Sequence, residues 1–301
     1  MEPWVIGLVA FSAILHLAWN VRLKTAGDPL RAATIGMLAG SVAIVPIGFA
    51  AWWIQGRVAL PASGIALGLA SGVVEAAYFI FLAAAYRRGD LSVVYPLARG
   101  TAPLLAVLIG VVILGERLGV AGSLGVIALL VGFLVLQRPW RAIAVARSGG
   151  AGARKAAADS AILFALAAGV MIATYTAIDR VGTRQINPFP YAVILTVTCS
   201  LVLVGWVAFV AGGDLLRFGP AASRRAAVGG LLTLTAYMCI LVALSVAPLS
   251  GVAPLRESAT VFAAAWGAVR MGEASGPSEA TRRIGASVLI VGGALLLAVG
   301  N

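Results

Sequence analysis

Charge is scarce in this chain. Asp, Glu, Lys and Arg make up 11% of its 301 residues, where an ordinary soluble domain carries roughly 25%. With 61% of the residues hydrophobic, a globule of this length cannot hide its apolar surface from water, so the bilayer takes the place of solvent. Acids are scarcer still, 11 against 22 basic residues, for a formal charge of +11. The basic residues stand one to three at a time between apolar runs. There is no dense basic face with interleaved aromatics, which argues against a nucleic-acid partner; arginines flanking membrane helices account for the charge.

Reactive groups are equally sparse. The only cysteines, Cys199 and Cys239, each sit within an apolar run, which leaves no disulfide framework and no CxxC metal motif. One histidine, no HExxH and no GxSxG supply too little chemistry for an intramembrane protease or lipid transferase. The absence of GxxxxGK[ST] removes direct ATP drive by this chain. The expectation is a protein that is not an enzyme and carries no cofactor or metal. Met1-Glu2-Pro3-Trp4 lacks the positive n-region of a secretory signal, so the first apolar stretch reads as a retained helix.

What the chain has is long apolar runs. Candidates near 4–22, 32–55, 63–86, 91–114 and 119–137 precede five more near 160–179, 188–212, 226–246, 249–270 and 283–300. Each approaches the ~20 residues that a spanning helix requires. Barrel strands would be shorter and alternating. The fold class predicted is therefore an all-α integral membrane protein of ten transmembrane helices. Between the fifth and sixth runs lies a polar interval, Arg138–Ala158, read as a linker loop (138–158) joining halves 1–137 and 159–301.

The halves echo each other. Leu91–Leu97 reads LSVVYPL and Leu249–Leu255 reads LSGVAPL, 158 residues apart; Gly115-Glu116 and Gly272-Glu273 follow, 157 apart. Because each half holds an odd number of crossings, the second enters from the opposite face, which predicts two inverted five-helix repeats. Of the 22 Lys and Arg residues, sixteen fall in loops after odd helices. Only Arg57, Arg117, Arg180 and Arg184 follow even ones, and Arg99 and Arg256 lie within helices. The positive-inside rule then puts both termini outside an inner (cytoplasmic) membrane.

GDLSVVYPLARGTAPLL followed by LGERL, and APLSGVAPLRES followed by MGE, resemble the drug/metabolite transporter superfamily, in its ten-helix permeases with two EamA-type halves. Trp19-Asn20 with Lys24, and Tyr175-Thr176 with Arg180, fit the same resemblance, which covers essentially the whole chain. It implies a carrier of small metabolites, with amino-acid exporters as the nearest likeness beside drug, sugar-phosphate and nucleotide-sugar carriers. It also implies cytoplasmic termini, opposite to the charge count. Small drug-exporting relatives place an essential carboxylate in helix one, where this chain has His16 and no acid.

Ionisable groups inside a spanning helix are costly and therefore functional candidates. Here they are His16, Glu75, Arg99, Arg256 and Glu257, with Asp179 near a helix end. His16 and Asn20, four residues apart with Trp19 alongside, line either a cavity or a helix–helix contact. Glu75, one turn from Tyr78, is the expected proton-exchanging carboxyl, or a structural partner of Arg99 or His16. Arg99 and Glu257 stand at the repeat offset of 158. Arg99 or Arg256 clamps a substrate carboxylate while Glu257 or Glu75 meets its ammonium, or the same groups form fixed salt bridges between the halves. Pro96 and Pro254, repeat-related, are expected hinges. Tyr78, Tyr95, Tyr175 and Tyr237 are expected around the pocket.

The reading that follows is a secondary transporter, functional as a monomer, with the lipid bilayer and a small-molecule solute as its partners. It exports small metabolites, amino acids foremost, by alternating access around a midplane cavity. Proton-coupled efflux of drug-like organic cations is the competing reading, and a receptor or structural subunit is another.

Overall fold

The computed structural model describes residues 1–24, 28–89, 91–148, 153–211, 219–256 and 277–299. Among them there is no strand, and they form eleven α-helices. These are α1 (Pro3–Lys24), α2 (Pro29–Ile54), α3 (Ala62–Arg88), α4 (Leu91–Leu108), α5 (Val120–Gln137) and α6 (Pro139–Ser148). After them come α7 (Ala153–Gly182), α8 (Pro188–Ala211), α9 (Pro220–Val246), α10 (Leu249–Arg256) and α11 (Pro277–Val299). Where side-chain periodicity is nearly uniform, proline sets the starts: α1, α2, α6, α8, α9 and α11 all open on one. Proline's missing N–H is no loss in a first turn. Asp28 adds a cap to α2, its Oδ1 accepting from the amides of Leu30 (3.1 Å) and Arg31 (3.2 Å).

Five helical segments are long and apolar enough to cross a membrane: Pro29–Ile54, Ala62–Arg88, Ala158–Gly182, Pro188–Val210 and Pro220–Val246. Shorter apolar stretches occupy Pro3–His16, Leu97–Ile113, Val120–Val135 and Gly285–Leu297. Large apolar side chains such as Ile54 and Phe209 are more than four-fifths exposed, the arrangement of a chain whose outer surface meets lipid. Trp4, Trp53 and Trp140 are exposed near helix starts or ends, as interface anchors are.

The helices pack as α1 on α9, α3 on α7, α2 on α8 and α9, α3 on α8, α4 on α7 and α10, and α5 on α11. Lipid gives helices no hydrophobic reason to associate, so contact rests on close van der Waals approach at small residues. Gly230 of α9 lies against the backbone of Gly36 in α2, where any Cβ would collide. A Cβ on Gly125 of α5 would stand 2.7 Å from the carbonyl oxygen of Gly293 in α11. α5 and α11 thus meet at glycines on both helices.

Polar ties close one end of the bundle. After α4 the chain makes a π-helical turn, Ile109–Ile113, then turns at Gly115 with φ +65°. That delivers Glu116 to the start of α10. Its carboxylate accepts from the amides of Leu249 (2.6 Å) and Ser250 (2.8 Å) and from the Ser250 hydroxyl (2.7 Å). It also pairs with Arg180 of α7 at 3.4 Å, and Arg180 donates to the Leu244 carbonyl of α9 at 2.6 Å. At the same end the Met1 ammonium donates to the Leu297 carbonyl at 2.9 Å.

Two local features differ from the sequence reading. The interval 138–158, expected as a linker loop, contains helix α6, and α7 begins at Ala153 rather than near 160. The cause is alanine: Ala142, Ala144 and Ala146 in α6 and Ala156–Ala158 in α7 favour helix without needing an apolar run. Ile143 of α6 packs on the core. The π-helical turn was also not anticipated.

Gly230→Leu is expected to lower stability by about 1–3 kcal/mol through overpacking. Gly205→Ala, where a Cβ meets nothing within 4 Å, is expected to be neutral or to gain up to about 1 kcal/mol in helix propensity. Thermal unfolding of the purified protein in detergent separates the two.

Candidate functional site

Buried polar side chains gather where α1, α3, α4, α7, α8, α9 and α10 converge. Asp179 is fully buried. It lies one turn before the end of α7, which stays helical through Gly182, and its backbone carbonyl accepts from the Thr183 hydroxyl at 2.6 Å. Its carboxylate faces inward and is ringed by hydroxyls. Ser71 of α3 donates to Oδ1 at 2.5 Å, Tyr191 of α8 donates to the same oxygen at 2.8 Å, and Tyr237 of α9 donates to Oδ2. Three O–H donors on one carboxylate replace the hydration shell that the low-dielectric interior withholds.

Glu75 lies one turn along α3 from Ser71. It is buried, and its Oε2 has no hydrogen-bond partner. An acceptor in that condition is the exception among buried polar atoms. Asp179 and Arg256 act on it electrostatically. Arg256, on α10, is 5% exposed. Its guanidinium lies 5.4 Å from the centroid of the Tyr237 ring, within electrostatic reach of Asp179 and Tyr175. His16 of α1 is buried with Arg99 and Arg256 as its charged neighbours. Arg99 of α4 is buried as well.

Three tyrosines form a file. Tyr78 and Tyr175 have ring centroids 6.0 Å apart, and Tyr175 meets Tyr237 edge-on at 5.8 Å with an interplanar angle of 77°, spacings at which aromatic pairs attract. A narrow cleft beside the file is lined by Ala102, Ala106, Ile172, Thr176, Val252 and Arg256, among others.

Most residues singled out in the sequence meet here. His16, Glu75, Tyr78, Arg99, Tyr175, Tyr237 and Arg256 belong to the cluster, and Pro254 sits buried inside α10, two residues before Arg256. Trp19 and Asn20 fall on α1, Tyr95 and Pro96 on α4; their side chains lie outside the described residues, as does Glu257 altogether. Ser71 and Tyr191 were not foreseen, and Asp179 was noted only as near a helix end. Its signal was a lone acid after an apolar run, followed directly by Arg180; the serine and tyrosine carried none, since neither type is unusual in a membrane helix.

A buried cluster of acids, arginines and tyrosines inside an apolar helical bundle defines a class: a multi-pass membrane protein with a polar interior. The model of the EamA-like transporter family matches residues 2–138 and again 159–299, and the chain belongs to that family. It is a membrane transporter of small solutes. Among curated proteins none matches. Solved structures include 28 matching chains. One, titled only "Crystal structure of protein", aligns over 99% of this chain and 98% of its own with a TM-score of 0.67 at 20% identity, a likeness of fold.

Tyr191→Phe removes one of the three donors to Asp179 and is expected to lower stability by about 1.5–3 kcal/mol. Asp179→Ala strands all three hydroxyls and is expected to lower it further. Equal melting temperatures for wild type and Tyr191→Phe would show that the carboxylate does not depend on this donor.

Proposed function

We propose that the protein is a secondary transporter that moves small metabolites, amino acids foremost, out of the cell by alternating access. The observation that carries the reading is the unpartnered, buried Oε2 of Glu75 beside Arg256. An α-amino acid presents an ammonium for that oxygen and a carboxylate for a guanidinium, and the tyrosine file supplies an apolar wall for its side chain. Arg99, His16, Trp19, Asn20, Tyr95 and Glu257 complete the proposed lining, with Pro96 and Pro254 as hinges.

Ten crossings in two inverted halves, 1–137 and 159–301, fit this reading. Shifted by 158 residues, α3 (62–88) falls on α9 (220–246) and the start of α4 falls on that of α10. Exchanging each helix for its counterpart also turns α3-on-α7 into α9-on-α1, and α3-on-α8 into α9-on-α2, and both members of each pair occur. Such exchange supports a pseudo-twofold axis in the membrane plane. The basic residues at the end holding Arg87, Arg88, Arg138 and Arg141 favour that end as cytoplasmic in an inner membrane, with termini outside. The chain is taken to act as a monomer.

Proteoliposomes test the reading directly, with labelled amino acids offered with and without a pH gradient. Transport of an amino acid is expected, with Glu75→Gln reducing kcat/KM about tenfold or more, the effect of losing roughly 1.4 kcal/mol. Movement of a lipophilic cation but of no amino acid would replace the substrate class. A pH dependence unchanged by Glu75→Gln would remove Glu75 as a proton carrier. For sidedness, a single cysteine at position 147 is expected to resist impermeant reagents applied outside intact cells.

A further inference from the structure

Asp179 has no access to a solute, since its oxygens are taken by Ser71, Tyr191 and Tyr237 and none of its surface is exposed. Its influence must pass through a neighbour. Tyr237 is that neighbour, because the ring whose hydroxyl is bound to Asp179 also carries Arg256. The guanidinium lies 5.4 Å from the ring centroid, within the reach of a cation–π contact, which strengthens when both partners are desolvated. Tyr237 supports Arg256 a second time, through Tyr175. Tyr175 lies within electrostatic reach of Arg256 and meets the Tyr237 ring edge-on at 5.8 Å. If the Tyr237 hydroxyl loses its acceptor, the ring is free to leave; its contact with Arg256 goes with it, and Tyr175 keeps only its packing on Tyr78.

We propose that Asp179 is a positioning residue: by holding the Tyr237 hydroxyl it fixes the ring that sets Arg256, and so tunes recognition of a solute carboxylate. This rests on the transport reading above, and assigns to α7 a specificity role in addition to holding the bundle together. The carboxylate also fixes how much freedom Arg256 has. A guanidinium pinned over a ring presents its fork in one direction, and bidentate carboxylate binding needs that.

The test compares two solutes, an amino acid and the amine that lacks its carboxylate, in proteoliposomes containing wild type, Asp179→Asn, Tyr237→Phe or both. The single variants are expected to raise KM for the amino acid by about three- to thirtyfold, the worth of a buried cation–π contact. KM for the amine is expected to hold, and the double variant to be no worse than either single one, because both act on one path. A purely structural role would instead lower the maximal rate for both solutes alike and leave the KM ratio unchanged. That result overturns the proposal, as does a double variant whose effect is the product of the two. A second readout needs no transport: the ring-current shift on the Arg256 side chain in nitrogen-15-labelled protein, assigned with Arg256→Lys. It is expected in wild type and lost in Asp179→Asn. Its persistence in Asp179→Asn refutes the positioning claim, whereas wild type that moves neither solute but shows the shift refutes the transport reading alone.

Discussion

A carboxylate buried without water must be solvated by protein, and Asp179 concentrates that requirement at one point. Its three hydroxyl partners come from α3, α8 and α9, so one side chain of α7 fixes four helices relative to one another. In a soluble protein the hydrophobic effect would hold such helices together and leave the polar group incidental. In lipid the helices gain nothing by hiding apolar surface from one another, and a hydrogen-bonded acid contributes direction as well as attachment. The tyrosine file and Arg256 inherit their places from it.

The frame around this point is duplicated, but the chemistry is not. Counted back by 158 residues, Asp179 corresponds to Val21, Tyr237 to Phe79 and Tyr191 to Ala33; counted forward, Ser71 corresponds to Gly229. All four members of the cage therefore lack a polar counterpart. Close packing shows the opposite: Gly72 and Gly230 stand at the same offset, and each presses onto backbone of another helix, Gly72 at Leu195 and Gly230 at Gly36. Packing geometry repeats because the same helix crossing must be made twice. The proposed binding of one solute in one orientation makes no such demand, and the polar groups are not repeated.

This division explains what the sequence made legible. Long apolar runs announced the helices, and the echo of LSVVYPL in LSGVAPL announced their repetition. Against so apolar a background, Glu75, Arg99, Arg256 and His16 stood out individually, and the structure brings them to one place. The cage did not stand out, because Ser71 and Tyr191 matter only through a contact 108 residues distant in one case and 12 in the other. Helix α6 escaped because its alanines favour helix without lengthening an apolar run. Glu116 stood out only as part of the repeated Gly-Glu pair; its task, capping another helix 133 residues away, is invisible without the turn at Gly115 that aims it.

Asp179 and Arg180 are consecutive, yet they serve opposite ends of one problem. Asp179 turns into the polar interior, whereas Arg180 reaches the end of the bundle, pairing with Glu116 and donating to Leu244. Glu116 in turn holds the first amides of α10, the helix that carries Arg256. A loop of contacts thus runs from the interior through α7 to the bundle end and back along α10 to the interior. If that end opens during transport, α10 must leave Glu116 or carry it along. Either movement displaces Arg256 relative to Tyr237, because Arg256 lies only about two helical turns along α10 from the amides that Glu116 holds. The π-helical turn before Glu116 is the natural place for the compensating motion, since its hydrogen bonding is already out of α-helical register. Access at one end and the grip on a solute's carboxylate are then mechanically linked through a single turn of α7.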